Sequence, residues 1–247
     1  MQVHPIETAA IAAAAATGEG RFNIYASIHK ALRSFMADTL LALGRADASD
    51  DQEVRDACDR VVELVEFCEH HVAHENQFIH PALQARCPGV CDAVAADHED
   101  HLRHIAHLGD AARALASVPA SMRPAALQVL YLALALFVAD NFQHMHSEET
   151  QHNAALWSTY TDLELLAIHD QLVGSIPPQE MMLVARWMLP SVSAMERTLM
   201  VNDMQGKAPP EAVEAVMAVA RQHLNDRDWA KLARSVNLPP VPGLVMV

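Results

Sequence analysis

Apolar residues recur every three to four positions along most of the chain, the spacing that is typical of amphipathic helices. Four long segments with this pattern are predicted at about 21–44, 53–79, 91–116 and 124–157. Short connections that contain acidic residues, glycine or proline separate them. Four helices of similar length joined in this way predict an antiparallel four-helix bundle.

The rest of the chain, residues 158–247, contains shorter helical segments with clear start signals. Thr161 with Glu164, and Ser193 with Glu196, have the spacing of a capping box, in which a hydroxyl and a carboxylate close the first turn of a helix. We find no long segment with the two-residue period of a strand. The sequence therefore predicts an all-α fold in which a C-terminal helical extension follows the bundle.

Residues 1–19 differ from both regions because they are rich in alanine and low in complexity. This composition predicts a flexible N-terminal arm. The expected organisation is thus an arm at 1–19, a helical bundle at 20–157 and the extension at 158–247.

The charge balance restricts the partners of the chain. Acidic residues outnumber basic ones by 31 to 17, so the formal net charge is −14. Such a surface repels phosphate backbones and anionic lipid, which argues against nucleic acid and membranes as partners. The longest apolar stretch, at 125–139, is too short to span a bilayer, and the N-terminal alanine run lacks the basic residues of a secretory signal. We therefore expect a cytoplasmic protein.

Histidine is abundant, with 15 residues, and its spacing points to metal binding. His71 and Glu75 are four residues apart in the second predicted helix, as are His144 and Glu148 in the fourth. Residues four apart lie on one face of a helix, so each imidazole and carboxylate can reach the same ion. Two such pairs supply nitrogen ligands and two carboxylates to a pair of metal ions.

The other two helices offer the remaining candidate ligands. His29 lies on the apolar face of the first helix, and His98 and His101 are one turn apart in the third. A set of imidazoles and carboxylates without cysteine suits Fe, Mn or Zn, and argues against a structural zinc site or an iron–sulfur cluster. Ferritin-like centres use a Glu-x-x-His motif, and the opposite order here disfavours that class.

This arrangement resembles the hemerythrin/HHE cation-binding family. The residues that carry the resemblance are, in order, His29, His71-x-x-x-Glu75, His98 and His144-x-x-x-Glu148. The resemblance covers about residues 21–157. It implies an antiparallel four-helix bundle with two non-haem iron ions, bridged by two carboxylates and by an oxo or hydroxo group. Members of the family bind dioxygen, respond to oxygen or redox state, handle iron, or help to repair iron centres damaged by nitric oxide.

Carried onto this chain, the resemblance implies that two glutamates bridge the metals and that histidines complete the shell. The implied ligands are His29, His71, Glu75, His98, His101, His144 and Glu148. The third helix departs from the pattern of oxygen-carrying hemerythrins, which place two histidines four apart, because Asp97 stands four before His101. Whether His98, His101 or both ligate therefore stays open. Glu149, five after His144, is the alternative to Glu148.

Tyr25 lies one turn before His29 on the same face of the first helix. Core packing is one interpretation of this phenol. The other is that it points into the metal pocket as a hydrogen-bond donor, a ligand or a redox partner.

Two further features leave alternatives open. Cys87 and Cys91 bracket the turn between the second and third helices, and reduced thiols are expected there, with a reversible disulfide as the alternative. The extension is rich in methionine, which most often fills gaps between helices. Such an adaptable surface would also suit a protein partner or self-association.

The leading functional hypothesis is a di-iron protein that binds or senses dioxygen, redox state or another diatomic molecule. The alternative is a di-iron enzyme that acts in iron-centre repair under nitrosative stress, or as an oxidase or oxygenase. A second alternative is a metal-free structural or partner-binding helical protein. If metal is present, Mn or Zn is the alternative to two Fe ions.

Overall fold

The computed structural model describes residues 5–238, and every regular element in that range is helical. This confirms the all-α prediction. The helices are α1 Pro5–Thr17, α2 Ala26–Arg45, α3 Asp51–His74, α4 His80–Arg86, α5 Asp92–Leu115, α6 Arg123–Ser147, α7 Asn153–Thr159, α8 Asp162–Ser175, α9 Pro178–Ser191, α10 Ala194–Lys207, α11 Pro210–His223 and α12 Asp226–Ser235.

The predicted four-helix bundle is formed by α2, α3, α5 and α6. Helix α3 packs against α5, and α5 packs against α6. Helix α2 joins α3 through the rings of Phe35 and Phe67, whose centroids are 5.8 Å apart in an edge-to-face arrangement. It approaches α6 closely at Gly44, where a Cβ atom would lie 2.9 Å from the ring of Tyr131. A larger residue at position 44 would therefore push these two helices apart.

Two of the long helical segments each contain a π-helical turn of five residues. One, Glu75–Ile79, joins α3 to α4, and the other, Glu148–His152, joins α6 to α7. The second helical segment does not end at about residue 79 as predicted, because α4 continues to Arg86. Pro81 lies in the first turn of α4, where a missing backbone N–H is tolerated. Single π-turns inside α-helices are frequent at functional sites.

The chain divides into two compact units. The first contains the described residues up to Ala26 together with Phe35–Ser175. Helix α8, which the sequence analysis assigned to the extension, groups with this unit because Leu165 is completely buried in a cluster with Leu83 and Trp157. In the segment predicted as a flexible arm, residues 5–17 form α1; its flexibility stays a prediction.

The second unit contains Ser27–Ser34 of α2 and the residues from Ile176 onward. Helices α9 to α12 enclose an apolar core of their own. The buried Arg197 donates to the main-chain oxygens of Leu189 at 2.7 Å and Val192 at 3.0 Å, so its guanidinium holds the link between α9 and α10.

The two capping boxes are confirmed. Ser193 accepts from the backbone N–H of Glu196, whose carboxylate accepts from the backbone N–H of Ser193 at 2.7 Å. Thr161 and Glu164 make the same reciprocal pair at the start of α8. Reciprocal bonds of this kind satisfy backbone donors that the first turn of a helix leaves open.

The stretch Ala120–Thr159 is long and apolar enough to cross a membrane by length and composition alone. It also carries His144 and Glu148, which are buried inside the bundle. Core helices of soluble bundles share these properties, so the expected absence of a membrane partner stays a prediction.

Candidate metal centre

Each π-turn begins with a buried glutamate, and the two glutamates lie at the centre of a cluster of imidazoles. Glu75 is 1% exposed and Glu148 is completely buried. The ligand atoms that His71, Glu75 and Glu148 offer lie within 4.8 Å of one another, and so do those of Glu75, His98, His144 and Glu148. The two His-x-x-x-Glu pairs predicted from the sequence therefore come together in space.

The two oxygens of Glu75 face different histidines. Oε1 lies 3.2 Å from Nε2 of His71, and Oε2 lies 3.4 Å from Nε2 of His98. These imidazoles come from α3 and α5, so the carboxylate separates two groups of nitrogen donors. A bridging carboxylate between two ions needs this orientation.

Glu148 stands beside the histidines of α5 and α6. Its Oε2 lies 3.4 Å from Nε2 of His144, and its Oε1 lies 3.9 Å from Nε2 of His98. The Nε2 atoms of His98 and His144 are 3.1 Å apart. Two lone pairs at this distance repel each other, so the nitrogens must share either a proton or a cation.

A polar group behind His98 orients its ring. Nδ1 of His98 lies 2.9 Å from Oδ1 of Asn76. A proton held at this Nδ1 leaves the lone pair of Nε2 directed at the carboxylates, which is the tautomer that a metal ligand needs. Nδ1 of His144 lies 3.5 Å from Oδ2 of Asp97, near enough for an electrostatic interaction. Asp97, the residue at which the third helix departs from the hemerythrin pattern, thus lies behind His144.

The structure separates the two candidates on the third helix. His98 lies in the cluster, whereas Nε2 of His101 faces Oδ2 of Asp140 at 3.6 Å. The ring of His101 also contacts the ring of His144 edge to face, with centroids 4.6 Å apart. His101 thus supports a neighbouring imidazole. In the same way Glu148, and not Glu149, lies among the histidines.

His29 is completely buried on α2. The segment that carries it, Ser27–Ser34, groups with the second unit, but Tyr25 and Ala26 before it and Phe35 after it belong to the first. Ala26, Ser27–Ser34 and Phe35 all lie in the single helix α2, and Tyr25 directly precedes it.

Two further buried histidines lie in the cluster and are not among the ligands implied by the sequence: His80, five residues after Glu75, and His152, four residues after Glu148. His80 and His152, 8% and 1% exposed, offer ligand atoms within 4.8 Å of an oxygen of Glu148. On a regular α-helix, residues five apart lie on different faces. A π-turn follows an i to i+5 pattern and places His80 on the same side as Glu75. One sequence carries no clear signal for such a turn.

The structure places the Tyr25 phenol beside this cluster. The side chain therefore packs in the core and also adjoins the candidate metal ligands. The side chain is completely buried, and its hydroxyl lies 3.2 Å from Nδ1 of His152. Burial, and then the nearby carboxylates of Glu148 and Glu75, raise the pKa of Tyr25 well above its ordinary value. The phenol therefore keeps its proton at neutral pH.

The protonation states of the cluster suit a cation. Burial lowers the pKa of His144 to about 2 and that of His80 to about 4, so both imidazoles are neutral at pH 7. Burial and the neighbouring Glu75 raise the pKa of Glu148 well above its ordinary value. Two carboxylates buried side by side cost free energy unless protons or cations compensate them. Neutral nitrogen donors around this acidic pair fit a metal site.

The four cysteines of the chain are free thiols, Cys87 and Cys91 included. Cys91 lies 3.6 Å from the side-chain oxygen of Gln84. The cluster of histidines and glutamates contains no sulfur ligand.

Compared with known protein families, residues 22–155 match the hemerythrin HHE cation-binding domain. This match covers more than half of the chain and contains every residue of the cluster. No curated protein and no solved structure matches the chain.

Proposed function

Since the chain belongs to the hemerythrin HHE cation-binding family, we propose that its bundle holds a carboxylate-bridged, non-haem di-iron centre that binds or senses dioxygen or another diatomic ligand. The observation that carries this proposal is the orientation of Glu75, whose two oxygens face the imidazoles of different helices. One carboxylate in that position serves two ions at once.

In this proposal the metal ions would be held by the carboxylates of Glu75 and Glu148 and by the imidazoles of His71, His98 and His144. His29 stays a ligand that the family resemblance implies. It is buried and stands one turn after Tyr25 on α2, and Tyr25 reaches the cluster. His101 supports His144 in place of ligating, which would leave a coordination position open.

The donor set favours iron over the alternatives. Imidazole and carboxylate ligands with open positions are typical of non-haem Fe(II) sites, although Mn and Zn accept similar donors. Bound iron would supply electron exchange and a vacant position for a diatomic molecule. The buried side chains around the cluster exclude water, and the proton that Tyr25 retains is available for a hydrogen bond within the pocket.

The experiment that tests this proposal is elemental analysis of protein purified without oxygen, together with its absorption spectrum before and after exposure to air. We expect about two irons per chain, with oxo-bridged charge-transfer bands that develop in air. Bands that disappear under vacuum support reversible binding, whereas permanent oxidation supports sensing or the enzymatic alternative. A protein that contains no iron and folds identically with a chelator would leave only the metal-free alternative.

Metal binding is expected to depend on pH because the ion displaces a proton from Glu148. The raised pKa of this carboxyl means that the metal-free protein holds a proton there, and metal ligands must be deprotonated. The sign follows directly: as pH falls below that raised pKa, protons compete better and affinity drops, by up to about tenfold per pH unit for one proton. His80 and His144 add little competition above about pH 4, since their pKa values are about 4 and about 2.

Calorimetric titration with Co²⁺ at pH 5.5, 6.0 and 6.5 measures this dependence. Repeating each titration in buffers with different heats of protonation counts the protons released. An affinity that does not change with pH, with no proton released, would contradict the assignment of Glu148 as a ligand.

A further inference from the structure

The cluster contains two imidazoles that the proposed dinuclear centre does not use. Besides the residues of the dinuclear centre, His80 and His152 lie near Glu148, and the ligand atoms of all three residues lie within 4.8 Å of one another. All three side chains are buried. We propose that His80, His152 and Glu148 form a third position, for a divalent transition-metal ion, beside the dinuclear centre.

The ring nitrogens of the two histidines support this site. Nε2 of His80 and Nε2 of His152 are both buried and make no hydrogen bond to the residues that the structure describes. Nδ1 of His152 lies 3.2 Å from the hydroxyl of Tyr25. A proton on Nδ1 that is donated to the phenol oxygen leaves the lone pair of Nε2 available. A buried imidazole nitrogen without a partner costs free energy, and an ion bound there would remove that cost.

The donor types define the class of ligand. Two imidazoles and one carboxylate form the 2-His-1-carboxylate set of mononuclear Fe(II) sites, which leaves open coordination positions. The rings of His80 and His152 are nearly perpendicular, at 85°, with centroids 5.8 Å apart. The two rings therefore have different orientations beside Glu148, as two imidazoles that bind one ion commonly do.

The third ion is expected to bind more weakly than the first two. It shares Glu148 with the dinuclear centre, so two carboxylates serve three cations, and like charges at this distance repel. The ring of His80 stacks on that of His98, with centroids 4.8 Å apart, so the new position lies directly beside the existing one. Weak and reversible binding suits a position through which an ion enters or leaves the centre.

The test is a titration of the metal-free, full-length protein with Co²⁺ under anaerobic conditions, followed by absorption and by elemental analysis after rapid desalting. We expect three ions per chain at saturation, with the last one at least tenfold weaker. His80→Gln and His152→Gln are each expected to bind two. The matched control is His104→Gln, an exposed residue on α5 outside the cluster, which should bind three.

Three outcomes would overturn the inference: saturation of the wild type at two ions, three ions in the His80 variant, or loss of the tight ions from that variant. The inference extends the proposed dinuclear centre, and the titration keeps the two apart. Two tight ions without a third leave the dinuclear centre intact, whereas no tight ions would reject both. Circular dichroism of each variant, and the agreement of two independent variants, separate loss of a ligand from failure to fold.

Discussion

Glu148→Gln is expected to lower the number of tightly bound metal ions from two to at most one per chain. The substitution keeps the size of a completely buried side chain and removes the negative charge that lies beside His98 and His144. An amide cannot bridge two cations as a carboxylate does. Loss of a group that only hydrogen-bonds to a metal ligand lowers metal affinity by about 10- to 100-fold. Loss of a bridging ligand is therefore expected to lower it by at least about 100-fold.

Glu149→Gln is the matched control, because it makes the same chemical change one residue later, at a half-buried side chain outside the cluster. Its metal content should equal that of the wild type. Elemental analysis and Co²⁺ titration of both variants measure the difference. The reverse result, with metal lost from the Glu149 variant alone, would show that the ligand is Glu149 and not Glu148.

Removing the metal is expected to lower the midpoint of thermal unfolding by about 10 °C. An ion that binds only the folded chain, at a free concentration about 1,000 times its dissociation constant, adds about 4 kcal/mol of stability. For a protein of this size each kcal/mol shifts the midpoint by about 2–4 °C. Part of that loss of stability arises because Glu75 and Glu148 are buried side by side. Without a metal ion, protons must neutralise the charges of these two carboxylates.

Differential scanning calorimetry with and without a chelator measures this shift. The control is the double variant Glu75→Gln and Glu148→Gln, in which the acidic pair is absent and the chelator should have no effect. Equal midpoints for the wild type in both conditions would show that the cluster does not hold a stabilising ion.

The local parts of the site could be predicted from the sequence because they depend on one helix at a time. The spacing of four between His71 and Glu75 is a property of the backbone, and it places both side chains on one face wherever the helix lies. The same holds for His144 and Glu148. Helical periodicity and the capping boxes likewise predicted most of the helix boundaries, since both arise from hydrogen bonds within a few residues.

The choice between His98 and His101 could not be made in this way. The two residues are neighbours on one face of α5, so a small rotation of that helix decides which imidazole reaches the carboxylates. Packing of α5 against α3 and α6 sets that rotation. It directs His98 to Glu75 and leaves His101 beside Asp140.

The sequence by itself determined that the chain is helical, that four long helices form its bundle, and that two His-x-x-x-Glu pairs are its principal candidate donors. Only the tertiary structure decided which oxygens face which imidazoles, and only it brought His80, five residues after Glu75, to the cluster through a π-turn. The physical reason is the range of the interactions involved. Helical spacing follows from hydrogen bonds four residues apart, whereas the rotation of each helix and the extra residue in a π-turn depend on packing between distant segments.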